Sequence, residues 1–155
     1  MFKLGPKITR GEIWDLKGHS KIVEILITHQ RYSIKSIRFS YRDANNRVVH
    51  SPTYGDPCGL NFNIVEFNTD GEDLTSVSGK YLFGELASIV FGTNKRKFGP
   101  FGSTDSSSGY QDFNYEFKAG RFGGFHGSVS DGCVNAIGVY VKPYAHQPKR
   151  EPESP

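Results

Sequence analysis

Histidine is the first side chain to consult for acid–base chemistry near neutral pH, and the chain has five: His19, His29, His50, His126 and His146. None falls in an H-x-x-x-H or H-E-x-x-H spacing, so the metal-binding signatures on one helix face are absent. The two cysteines, Cys58 and Cys133, are too few for a disulfide framework or a four-ligand zinc site. A single bridge between them stays open, and reduced thiols are the default expectation. Sixteen Asp and Glu residues offer so many carboxylate pairs that choosing one for glycoside hydrolysis carries no information. The Gly120-Arg-Phe-Gly-Gly124 run precedes a strand pattern, not a helix, and so lacks the setting for cradling phosphate. No spacing argues for an enzyme, a bound metal or a cofactor.

The elements that must carry any site are read from composition and period. At 155 residues the chain fits one domain with a proper core. It has 18 glycines and 14% aromatic residues, with a single Met and a surplus of Phe, Tyr, Ile, Val and Ser, which favours strands and turns over helices. Ten apolar runs of strand length follow one another: 21–29, 33–41, 47–50, 62–68, 74–79, 86–92, 98–101, 113–118, 125–129 and 134–141. Strict alternation is clear in Phe113-Asn-Tyr-Glu-Phe-Lys118 and in Ile37-Arg-Phe-Ser-Tyr41. Turn signals recur about every ten residues, as expected of an antiparallel sandwich, barrel or prism. The fold class is all-β. Trp14 and His126 read as structural, 103–109 as an exposed Ser-rich loop, and 144–155, rich in proline, as a disordered tail beyond a domain at 1–143.

Charge narrows the partners. Nineteen Lys and Arg against sixteen acids give a net charge of +3. They are scattered, with only Lys95-Arg96-Lys97 forming a compact run, which reads as a solvated turn. A nucleic-acid binder concentrates its cations with aromatics between them. No apolar run of spanning length exists, and Met1-Phe-Lys-Leu-Gly-Pro6 is not followed by an apolar signal core. The expectation is a soluble intracellular protein with neither a nucleic-acid nor a membrane partner.

Several blocks together resemble the jacalin-related plant lectins. Leu4-Gly-Pro6 leads to Gly11-Glu-Ile-Trp-Asp15, similar to that family's glycine-rich opening. Leu74-Thr-Ser-Val-Ser-Gly79, Ser88-Ile-Val-Phe91, Thr93-Asn94 and Phe98-Gly-Pro-Phe-Gly102 resemble its central block. Gly123-Gly-Phe-His-Gly127 and Ala136-Ile-Gly-Val-Tyr-Val141 resemble its closing strands. The order and spacing match over about 1–143.

The resemblance implies a β-prism of three antiparallel sheets with pseudo-threefold symmetry, binding sugar through loops at one end without a metal. It implies the uncut, mannose-type class, because Gly11 is preceded by ten residues and offers no ammonium. This class is typically nucleocytoplasmic. The implied partners are mannose-containing glycans, and a homodimer is expected. The Phe122-Gly-Gly-Phe-His-Gly127 segment looks closest to a subset linked to antiviral defence. The implied sugar residues are Gly11 in the first loop, Lys80, Tyr81 and Leu82 in the second, and Asp131, Gly132, Cys133 and Asn135 in the third. Three departures stand out: Asp131 occupies a position where the family has glycine, Asn135 replaces its carboxylate, and Lys7-Ile-Thr-Arg10 replaces the usual glycines of the first loop. The alternative reading is therefore a scaffold that has lost useful sugar affinity and engages a pathogen or host protein.

Overall fold

Alternating runs fold as strands because each can bury one face and solvate the other. The computed structural model describes residues 1–7, 9–58, 61–68 and 70–143, with no helix among them. The strands are β1 (Phe2–Leu4), β2 (Glu12–Asp15), β3 (Ile22–His29), β4 (Ile34–Arg42), β5 (Val48–His50), β6 (Tyr54–Gly55), β7 (Asn61–Glu66), β8 (Leu74–Leu82), β9 (Glu85–Thr93), β10 (Lys97–Gly102), β11 (Tyr110–Glu116), β12 (Phe122–Ser130) and β13 (Cys133–Val141). All ten predicted runs appear. The three additions, β1, β2 and β6, are two to four residues long; neighbouring strands define them, so no period marks them in sequence. The expected tail, 144–155, lies outside the described residues.

The strands form three antiparallel sheets, ordered β1-β13-β12-β2, β5-β4-β3-β7 (with β6 also on β4) and β10-β9-β8-β11. At the centre of each is a hairpin: β12–β13, β3–β4 or β8–β9. The hairpins repeat one another in detail. Near its tip each skips one residue in register, at Asn135, Lys35 and Ala87 respectively, and at its far end each skips another, at Gly123, Val23 and Thr75. Such bulges bend a strand and re-aim a side chain, and their threefold recurrence gives the prism its pseudo-symmetry. One aromatic from each sheet meets at the axis: Phe125 stacks on Phe39 at 4.4 Å and meets Phe91 edge-on at 6.0 Å. All three are fully buried, each contributing about 2–3 kcal/mol of transfer free energy.

Two polar clusters lock the edges. His126 is buried, and its ring packs on Gly5 and Gly138, where a Cβ would come within 2.7 and 2.3 Å of it. Its Nε2 lies 2.8 Å from the Leu4 carbonyl, tying β1 to the sheet. Far from the hairpin tips, the Glu72 carboxylate accepts from Arg96 Nε (2.9 Å) and Nη2 (3.0 Å), from Thr93 Oγ1 (2.8 Å) and from the Asn68 amide (2.8 Å). The Lys95–Lys97 run is thus more than a solvated turn, since Arg96 closes the loop between β7 and β8. Ser103 also departs from the exposed-loop expectation: it is buried, with Oγ 2.8 Å from the Tyr110 hydroxyl, while 104–108 are exposed.

These clusters predict an acid response in two stages. Burial lowers the His126 pKa below its ordinary 6.5, so the unfolded chain binds that proton more readily and stability falls as pH drops through 6.5. The Arg96 bonds hold Glu72 at about 2 against an ordinary 4.5. Its contribution is complete above 4.5 and disappears as pH falls towards 2. Urea midpoints measured between pH 8 and pH 2, roughly the span of these titrations, should decline below 6.5 and steepen below 4.5. A flat profile down to pH 3, about one unit above the Glu72 value, contradicts this assignment.

Candidate functional site

The three central hairpin tips lie at one end of the prism. The Asp56 amide donates to both Gly132 O (2.9 Å) and Lys35 O (3.1 Å), joining the β12–β13 tip to the start of β4. His29, Gln30 and Arg31 of the β3–β4 tip share a cleft with Gly102 and 103–105, which join β10 beside the start of β9. The β12–β13 tip is Asp131-Gly132, with φ of 52° and 74°. A two-residue hairpin turn with two positive φ values suits Asp-Gly, so Asp131 conforms to this turn even though it replaces glycine in the resembled pattern.

The structure brings Gly11, Asp131, Gly132, Cys133 and Asn135 together. Gly11 has φ 81°, and a Cβ there would lie 1.9 Å from Val129 O. Its missing side chain makes room for the backbone of β12. Asn135 is the bulge residue and is 3% exposed. Its Oδ1 accepts from the Arg10 amide (3.1 Å) and Ser128 Oγ (3.3 Å), while its Nδ2 is buried without a partner. A buried donor without an acceptor costs about 1–3 kcal/mol. Cys133 Sγ takes the Lys35 ammonium at 3.6 Å, so its side chain faces β4 and only its main chain is left for the turn.

The second loop is placed differently from the expectation. Lys80, Tyr81 and Leu82 are strand residues of β8. Tyr81 is buried, its hydroxyl donating to Ile137 O (3.2 Å) and accepting from Ile137 N (3.1 Å); burial raises its pKa well above the ordinary 10. Its ring is core and cannot stack on a sugar. Lys80 donates to Asp105 O at 3.1 Å and pins the Ser-rich loop. Leu82 is half-buried. The tip is Phe83-Gly84, where Phe83 is 80% exposed with φ 50°. A bulky residue held at positive φ is unusual and marks strain, which gathers at ligand clamps. The sequence reading missed Phe83; the signal was Gly84, two residues beyond Leu82, as the second member of a tight turn.

The three bulges related by pseudo-symmetry carry different side chains. The equivalent bulge residues are Asn135, Lys35 and Ala87. Only Asn135 presents an amide able both to donate to and to accept from hydroxyls. Beside it, a cleft of about 450 Å³ is lined by Glu12, Ile13, Trp14, Tyr54, Asp56 and Gly132, and Trp14 stacks on Tyr54 at 4.3 Å. The Asp56 carboxylate is held below its ordinary value by bonds from Cys58 and stays ionised at neutral pH.

Asn135, Gly11 and the Asp131-Gly132 turn are thus gathered at one end of a three-sheet prism. Residues 5–140 match the jacalin-like lectin domain, and the chain belongs to that family. It is 37% identical over 161 residues to jacalin-related lectin 24 of Arabidopsis thaliana, covering 96% of this chain and 71% of the relative. It is 33% identical over 145 residues to the protein RESTRICTED TEV MOVEMENT 1 of the same plant, covering 88% and 80%. Among solved structures it superposes on the mannose-binding lectin of Champedak with a TM-score of 0.76 at 26% identity, covering 92% of this chain and 97% of that one.

Proposed function

We propose that the protein is a non-enzymatic, mannose-type carbohydrate-binding protein whose site is built on Gly11, the 131–133 turn and Asn135. The observation that carries this reading is the Asn135 side chain: a bulge aims it at the prism end, Oδ1 is held by Arg10 and Ser128, and Nδ2 is left with no protein acceptor. A sugar hydroxyl oxygen supplies that acceptor, once the Arg10 segment yields enough for the ring to enter. Phe83 offers an exposed aromatic face at the same end. Support for mannose comes from the name of the Champedak lectin, and support for a role in stress or virus defence from the name of the Arabidopsis relative. The proposal includes a nucleocytoplasmic location and a homodimer, since one competent bulge per chain makes avidity depend on assembly.

A scaffold role for a pathogen or host protein is the second reading, favoured by one observation: Asn135 is a neutral amide already covered at Oδ1. A glycan array run on the parent and on Phe83→Ala separates the two. The lectin reading expects mannose-rich oligosaccharides to be retained by the parent, with signal reduced about three- to tenfold in the variant through loss of roughly 0.5–1.5 kcal/mol of aromatic contact. A blank array beside reproducible capture of one protein partner supports the scaffold.

A further inference from the structure

The excess of positive charge that looks scattered in sequence is gathered by the topology at one end. The connections at the end remote from the hairpin tips, 16–21, 42–47, 67–68, 70–73, 94–97, 117–121 and 142, carry ten Lys and Arg against four carboxylates. Those at the tip end, 5–7, 9–11, 30–35, 56–58, 83–85, 103–109 and 131–133, carry four of each. Glu72 and Arg96 pair with each other and cancel, leaving nine cations against three carboxylates, of which Asp43 accepts from the amides of Asn45 and Arg47. Several of the cations are neighbours. Lys3 and Lys17 hold their ammonium groups 5.9 and 5.5 Å from the Tyr140 ring centre, and Lys142 Nζ lies 3.4 Å from Ser20 Oγ. Next to Ser20, Lys21 and Arg42 line one depression together with the carboxylates of Glu72 and Asp73.

We propose that this basic end docks on an anionic lipid surface, leaving the hairpin end facing away from it. Exposed apolar side chains stand among the cations: Phe2 at 64%, with Val141 opposite it in register, and Val48 at 47%, opposite Arg42. Basic groups around a few exposed apolar ones suit the headgroup layer, where attraction adds over each Lys or Arg. A nucleic-acid strand calls for a row of aromatic platforms between the cations, and Phe2 is the one exposed aromatic at this end among the described residues. The sequence argument against a membrane partner rests on the lack of a spanning segment, which peripheral contact does not need. Nine-residue strands separate the two ends by roughly 30 Å, so a glycan and a lipid surface can be engaged together.

Co-sedimentation with vesicles tests this. With phosphatidylcholine vesicles containing about one third phosphatidylserine, the protein should sediment at about 50 mM salt and be released by about 300 mM. It should stay in solution with phosphatidylcholine alone. Lys21→Glu with Lys142→Glu, both at exposed positions, should lower partitioning by about tenfold or more while leaving the urea midpoint unchanged. Phe2→Ser should lower it a few-fold with the same salt dependence. The proposal is overturned if the parent ignores the anionic vesicles at low salt, binds both vesicle types alike, or binds as well after the double charge reversal. It is also overturned if single-stranded RNA is bound over that salt range and the vesicles are not.

Discussion

Gly11→Val is expected to remove about 3–5 kcal/mol of folding stability, and with it any glycan binding. The backbone there sits at φ 81°, and a Cβ would meet the Val129 carbonyl at 1.9 Å. A β-branched residue is poorly suited to that conformation, and β12 cannot retreat without breaking its pairing to β2. Gly18→Ala is the control, because Gly18 has a similar φ of 92° but nothing within 4 Å of a built Cβ. It should lose only about 1 kcal/mol. Chemical denaturation of the two variants checks this; equal midpoints would show that the close approach to Val129 carries no energy.

Asn135→Asp is expected to raise affinity for mannose by roughly tenfold, and Asn135→Ala to lower whatever affinity the parent has by a similar factor. Hydrogen bonds to a charged acceptor are about twice as strong as neutral ones. In the aspartate variant one oxygen keeps the bonds from Arg10 and Ser128, and the other replaces the orphaned Nδ2 with an ionised acceptor for sugar hydroxyls. Alanine removes both groups and leaves the Arg10 amide and Ser128 hydroxyl unpaired, at about 1–3 kcal/mol. Calorimetric titration of the three proteins with one mannose-rich oligosaccharide reads all of this, and equal affinities would place the sugar away from Asn135.

The strands were legible because they alternate. In 113–118 the aromatics Phe113, Tyr115 and Phe117 are half-buried, while Asn114, Glu116 and Lys118 are exposed. The bulges were not legible: Asn135, Lys35 and Ala87 share no chemistry, and only the register reveals their equivalence. The third loop was placed by resemblance to the pattern that precedes Ala136-Ile-Gly138, and the structure makes Asp131-Gly132 its two-residue turn. The second loop was placed on Lys80–Leu82 because an aromatic after Ser-Gly resembled a stacking residue. Tyr81 then spends its ring on the core and its hydroxyl on Ile137, a contact 56 residues away that no local pattern encodes. The polarity of charge was hidden for a similar reason, since consecutive loops alternate between the two ends of the prism.

A glycan held at Asn135 and the adjoining turn is read out by an NMR titration of the parent with a branched mannotriose. Near millimolar sugar, where about 4 kcal/mol of binding free energy is readable, shifts are expected in the amides of Arg10, Gly11 and 131–135 and in the Asn135 side-chain NH₂ resonance. Amides at 35–37 and 86–89, behind the other two bulges, should stay in place. Unmoved Asn135 signals at saturating sugar, or shifts centred on either of those other segments, would contradict it.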